Sequence, residues 1–456
     1  MGKKYGRYSL EPIEVAPVET KHRRIVTKIP VPDSVAVFDK LLQFEPQSMS
    51  GQPPILWDHA EGYSVYDRFG NRWIDWSSGV LVTNAGHAHP RIVEALQKLI
   101  DRRQLFTYVL PHEERAVLVE KLAKLSPDGL DKVFLVTTGS ESTECAIKLA
   151  RTWGQRQTNN KNVFVSFGGG FHGRTMGSQL AGGMPALKTW LAGEGTTFVQ
   201  VPFPDGYFQE DTSFAVFERT LAAADIAPAR VAGVMSETYL GIGPDFFPVE
   251  YAQSLRSWCD EHGAVLIFDE VQSGFGRTGK IFGFEHYDVV PDIIACGKAI
   301  SGSLPLAAVI ARSDIVSPYG PGSMTSTHSG SPLPVAAGIA AVDVLLEERL
   351  HERAADLQPV LESHLREIVN RHDAAGWYHC RGLVAGIRIA RPGTKEPDPD
   401  VAFRINERCF QQGLLMFAPV GLGGGCIKIA PPLTTPRDAL EEGLEVLSKS
   451  FTEVLG

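Results

Sequence analysis

Short apolar runs recur through the middle of the chain, at Lys132–Val136, Val163–Phe167, Thr197–Val201, Val231–Ser236, Ala264–Phe268, Asp292–Cys296 and Leu306–Ala311. These runs are continuous rather than alternating. A strand with one wet face alternates apolar and polar residues. A continuous run predicts a strand covered on both faces, hence a mostly parallel sheet. Between the runs, Glu141–Trp153, Ser213–Ala224 and Val249–His262 carry helical spacing. Strand–helix alternation predicts an α/β architecture with up to seven strands in one sheet.

The pattern changes after Pro332. Val335–Glu348 and Glu352–Arg371 predict long helices, Arg381–Ile389 and Cys426–Ile429 predict strands, and Pro436–Val454 predicts a closing helix. That is a smaller α+β domain. Residues 1–60 are rich in proline and charge and predict an arm with one short helix at most, lying on a partner subunit or partly disordered at its start. The expected division is an arm over 1–60, a large domain over 61–335 and a small domain over 336–456, because 456 residues exceed one compact core.

Composition narrows the function more than the fold. The formal charge of −9 offers no field for nucleic acid or an anionic membrane, so any phosphate is bound locally. No run of 18 apolar residues predicts a membrane span. The start lacks an apolar leader segment, and Gly6 breaks the myristoylation pattern. Six cysteines without a C-x-x-C pair read as reduced, mostly buried thiols, and the expected location is cytoplasmic.

The chemistry concentrates where apolar runs end. Asp269 follows Val265–Phe268 and opens Asp269-Glu270-Val271-Gln272-Ser273-Gly274-Phe275-Gly276-Arg277-Thr278-Gly279. Lys298 follows Ile293–Cys296 and Gly297. Side chains at the carboxyl ends of parallel strands reach ligands lying outside the sheet. An acid there is costly unless paired, and facing a pyridine nitrogen it would keep that nitrogen protonated. A lysine and an acid so placed suit pyridoxal phosphate. Each alone has another explanation, a surface lysine for Lys298 and a helix cap or a structural ion pair for Asp269.

Thr137–Ser142 lies between strand and helix, where Gly139 and Ser140 with the helix N-terminus can cup a phosphate, or simply form a capping box. Gly168–Gly173 fits G-x-G-x-x-G, which admits a nicotinamide-dependent dehydrogenase. No clear apolar helix or well-placed ribose-binding acid follows, and the other use of the segment is Phe171 as an aromatic plate. His87-Ala88-His89-Pro90 has no companion ligands, so it predicts a buried turn opening the helix Arg91–Ile100 and no metal. Gly421–Gly425 predicts a loop tip.

Together, Leu266–Gly279 with Gly297-Lys298, Thr137–Glu141, Phe171–Thr175 and Asn84–Pro90 resemble the class III pyridoxal-phosphate aminotransferases, which include 4-aminobutyrate, ornithine and omega-amino-acid aminotransferases. The resemblance covers roughly residues 45–450. It implies fold type I, a mostly parallel seven-stranded sheet in a large domain plus a smaller α+β C-terminal domain, and pyridoxal 5'-phosphate as cofactor. It implies that Lys298 is the Schiff-base lysine and proton shuttle and that Asp269 pairs with the pyridine nitrogen. Val271 would pack under the ring opposite Phe171, Gln272 would reach the phenolic oxygen, and Gly139 and Ser140 would hold the phosphate. His172 would also bind the cofactor. Thr327 would bind the phosphate of the neighbouring subunit, which requires a homodimer or a dimer of dimers.

Two departures bear on the substrate. A glutamate common in the family is Ile242 here, and the arginine it pairs with in 4-aminobutyrate enzymes is Lys428. Lysine cannot make a planar two-point grip on a carboxylate. With Val80, these residues outline a more apolar substrate pocket without the glutamate–arginine switch. The expected activity is transfer of an amino group from an amino acid or omega-amine to a keto acid. The alternative is an amino-acid racemase or epimerase, or a dialkylglycine-decarboxylase-like enzyme, on the same fold.

Overall fold

The computed structural model describes residues 2–191 and 193–456, which form two compact units, Met1–His89 with Arg353–Gly456, and Pro90–Glu352. The divisions fall after His89 and inside the helix Leu350–Arg371, rather than near 60 and 335.

The Pro90–Glu352 unit is built on a seven-stranded sheet. Its strands are β1 (Lys132–Val136), β2 (Val163–Phe167), β3 (Phe198–Val201), β4 (Val231–Glu237), β5 (Val265–Asp269), β6 (Ile293–Cys296) and β7 (Ala307–Ala311), in the order β3-β2-β4-β5-β6-β7-β1. Strands β3, β2, β4, β5 and β6 run parallel, and β7 alone is antiparallel to both of its neighbours. Every residue of β2, β4, β5, β6 and β7 is buried, which is why their sequences show no alternation. Helix α1 (Gly139–Gln157) covers one face, with Ile147, Leu149 and Ala150 in a core with Phe164, Met235, Ile267, Ile293 and Val309.

Register decides which side chains meet. Glu237 pairs with Asp269, Asp269 with Ala295, and Cys296 with Ala308. The carboxyl ends of β4, β5 and β6 therefore share one edge of the sheet, and the segments after them emerge together.

The other unit holds a three-stranded antiparallel sheet of Ala375–Arg381, Val384–Ile389 and Cys426–Ile429, with helices Pro399–Gln411 and Arg437–Leu455. The expected single strand Arg381–Ile389 is instead the end of one strand, a turn and the next strand. A second sheet joins Val18–Glu19, Arg24–Ile25, His59–Glu61, Ser64–Tyr66 and Arg72–Asp75, and Leu414–Leu415 pairs with the last of these. Among the described residues up to 60, the one helix longer than a single turn is Val35–Phe44.

Asp75 anchors a tight turn in this unit. Its Oδ1 accepts from Ser77 N at 2.7 Å and Ser77 Oγ at 2.6 Å, and its Oδ2 lies 2.7 Å from His87 Nε2. Between these anchors Ser78, Gly79, Val80 and Leu81 all have left-handed backbones, with φ of 48°, 57°, 68° and 59°. Such a run is unfavourable for L-residues, most of all for β-branched Val80. The following helix starts at Pro90. Among the described residues no helix is long and apolar enough to cross a membrane.

Candidate active site

Asp269 ends β5 and is buried. Its Oδ1 accepts from Val271 N at 3.0 Å, and its Oδ2 is 2.8 Å from His172 Nδ1. A carboxylate is an acceptor only, so His172 Nδ1 carries the proton of this bond. Each oxygen keeps a second acceptor direction for another donor, which a protonated pyridine nitrogen would satisfy.

Lys298 follows the end of β6, in a single turn Lys298–Ser301, with φ of 46°. A lysine held in the left-handed region is strained, and such strain clusters where geometry serves function. Burial pushes its ammonium pKa down, while the carboxylates of Asp269 and Glu237 pull it back up. The result favours a lysine that gives up its proton more readily than a surface lysine does.

The helix end that faces these strands is closely fitted. Thr138 caps α1, its side chain accepting from Glu141 N while Glu141 Oε2 accepts from Thr137 N and Thr138 N. A Cβ on Gly139 would sit 2.9 Å from Val271 Cγ1, so a side chain there would push into Val271. Ser140 Oγ accepts from Arg174 N at 3.4 Å. The capping-box reading of Thr137–Ser142 is met, and Gly139 and Ser140 keep partial exposure at the start of a 19-residue helix.

Phe171 and Gln272 meet through a residue that the sequence did not single out as functional. The buried carboxylate of Glu237 accepts from Phe171 N at 2.9 Å and Gly241 N at 3.0 Å, with Gln272 Nε2 at 3.5 Å. Its position at the end of β4, level with Asp269, was the available signal. The Arg174 guanidinium lies 5.8 Å from the Phe171 ring centre. Gly139, Ser140, Phe171, Val271, Gln272 and Lys298 all keep partial exposure beside fully buried strands. An acid for a ring nitrogen, a helix end for a phosphate, an aromatic plate and a lysine fit pyridoxal phosphate.

The remaining sequence candidates belong to both units. Thr327 is exposed, and the adjacent Ser326 Oγ is 3.4 Å from Glu141 Oε1. Ile242 is half-buried after β4, its Cδ1 near Gly169. Val80 and Lys428 belong to the other unit, where Val80 is 52% exposed on its left-handed turn and Lys428 is buried in the small sheet opposite Gly386. The Gly168–Gly170 turn bonds to Gly183 and Val201 and opens no long helix; Met176–Ala181 has six residues.

Comparison with known proteins agrees with this geometry. The family model for class-III aminotransferases matches residues 47–451. An acetylornithine aminotransferase of Methanopyrus kandleri is 37% identical over 398 residues, covering 87% of this chain and 94% of that protein. An isoleucine 2-epimerase of Lentilactobacillus buchneri is 33% identical over 414 residues, covering 87% and 90%. Among solved structures, an (S)-enantioselective omega-transaminase from Thermomicrobium roseum aligns with a TM-score of 0.83 at 25% identity, over 92% of this chain and 99% of that one.

Proposed function

The chain belongs to the class III aminotransferases, pyridoxal-phosphate enzymes that pass an amino group from an amine to a keto acid, and we propose that Lys298 is the residue on which its chemistry turns. The observation that carries this reading is the strand-end placement of Lys298 beside Asp269, with burial lowering the lysine's pKa.

Pyridoxal phosphate, when bound, supplies an electron sink and the carbonyl to which Lys298 is joined as a Schiff base. Lys298 would hold the cofactor through its Nζ, and the same amine, once free, would move the proton of the substrate carbon. Asp269 would keep the proton on the pyridine nitrogen, and His172 holds Asp269 in place. Phe171 and Val271 would hold the two faces of the ring, Gln272 would meet the phenolic oxygen, and Gly139 and Ser140 would receive the phosphate.

A homodimer completes the phosphate site, with Thr327 supplied by the neighbouring subunit. The exposure of Thr327, and of Leu105, Val109 and Leu110 in the same unit, supports this reading. Six free thiols, five of them buried, support a cytoplasmic setting.

The donor is an amino acid or omega-amine. Ile242 and Lys428 stand where a glutamate–arginine switch would be, and without it 2-oxoglutarate is not accepted in the ordinary way. The test mixes single amines with the holoenzyme and follows the cofactor's visible absorbance as the amino group is transferred. A strong response to 4-aminobutyrate, reversed by 2-oxoglutarate, overturns the reading of Ile242 and Lys428.

The epimerase among the relatives favours one alternative, return of the proton to the opposite face of the same carbon. Loss of optical rotation by a single amino acid with no keto acid present would identify it.

A further inference from the structure

Glu270 is fully buried, one residue beyond Asp269. Its Oε2 accepts from Ser273 Oγ at 2.7 Å and Gly283 N at 2.9 Å, and its Oε1 accepts from Phe284 N at 2.9 Å. Ser273 Oγ in turn accepts from Thr238 Oγ1 at 2.5 Å, and the Tyr287 hydroxyl donates to Thr238 O. The backbone of Glu270 is tied as well, its N–H donating to Ala295 O at 2.8 Å. One carboxylate thus gathers the end of β5, the residue after β4 and the turn Gly283–Tyr287. The gathering is tight, since a Cβ on Gly283 would lie 2.6 Å from Thr238 Oγ1.

We propose that Glu270 is a positioning residue for the reaction: by fixing the turn Gly283–Tyr287 against Ser273 and Thr238, it sets the backbone from which Asp269, Val271 and Gln272 reach the cofactor. This rests on the cofactor reading above. The three residues flank Glu270 in sequence, so a shift of its backbone moves all of them. Removing the carboxylate leaves two buried amides, Gly283 N and Phe284 N, without their acceptor. Facing it are the Cys296 thiol on β6, which Asp269 also faces, and the Tyr239 phenol after β4, with Arg277 and Glu237 near that phenol. Burial pushes the Glu270 pKa up to about 7, against the pull of its three donors, Gly283 N, Ser273 and Phe284 N, and of the nearby Thr238 hydroxyl.

The test compares full-length wild type, Glu270→Gln and Ser273→Ala. Glutamine keeps one acceptor oxygen but turns an amide N–H₂ toward a backbone N–H. The expected result is pyridoxal phosphate affinity of the apoprotein weakened about tenfold or more in Glu270→Gln. The pH midpoint of the bound cofactor's visible band should also shift, and kcat should fall more than KM for the amine changes. Ser273→Ala should move the same readouts less, in the same direction, and it decides the matter if Glu270→Gln does not fold. A lowered melting temperature with unchanged affinity, midpoint and kcat would mean a merely structural role and overturn the proposal. If wild type fails to bind pyridoxal phosphate, the cofactor reading falls instead.

Discussion

His172 Nδ1 lies 2.8 Å from Asp269 Oδ2, and both side chains are buried. The bond joins the segment after β2 to the end of β5, so the acid cannot swing away from its strand. His172→Ala removes a hydrogen bond to a charged group, a loss of about 1.5–3 kcal/mol. The expected outcome is a fall in kcat of roughly 10- to 100-fold, read in steady-state assays, with a fold preserved by circular dichroism.

Lys298→Ala should abolish transfer, with turnover lower by at least about 1,000-fold, and should remove the visible absorbance of the resting holoenzyme. An enzyme that retains both turnover and colour would show that another group does this work.

Gly139→Ala tests the fit of the helix end. The new methyl would lie 2.9 Å from Val271 Cγ1, and Val271 must give way. Overpacking of this kind costs about 1–3 kcal/mol. The displaced Val271 should weaken pyridoxal phosphate binding beyond any change in the melting temperature of the apoprotein, measured by fluorescence titration and thermal unfolding of the same sample.

The pH dependence of stability should report Glu270. Its folded pKa, about 7, is above the ordinary 4.5, so the folded chain holds a proton that the unfolded chain has released. The stability from this group is fully present below about pH 4.5 and is lost as pH rises through about 7. Urea unfolding of the apoprotein should therefore lose a contribution on the order of 2 kcal/mol between pH 5 and pH 8. Glu270→Gln should remove that slope, and an unchanged slope would refute the assignment.

The large sheet was legible because its strands are buried on both faces. All seven apolar runs became strands, with ends displaced by a residue at most. The reversal of β7 was not legible, since Ala307–Ala311 is as continuously apolar as the strands that run parallel to one another, and composition does not encode direction. The first 75 residues hid their sheet because the strands have two to four residues, too few for a period, and because Leu414–Leu415 pairs with Arg72–Asp75 across more than 300 positions of chain. The left-handed turn Ser78–Leu81 was equally invisible, with Gly79 its single glycine and a valine where β-branching argues against it. At the site, Lys298 and Asp269 stood out because charge ends an apolar run. Glu237 and Glu270 end or follow similar runs, but their partners, Phe171, Gln272, Gly283 and Phe284, are joined to them only by folding.

The reversal of β7 has a mechanical consequence for Lys298. Had β7 been parallel, a crossover of a dozen or more residues would have had to separate it from β6. Instead the chain returns through residues 297–306, with Cys296 and Ala308 facing each other across adjacent strands, so both ends of the lysine's loop are clamped to one sheet. The main chain beneath Lys298 has little slack. On the proposed role of Lys298, the travel of its amine between two proton sites is the stroke of a four-carbon lever on a fixed pivot.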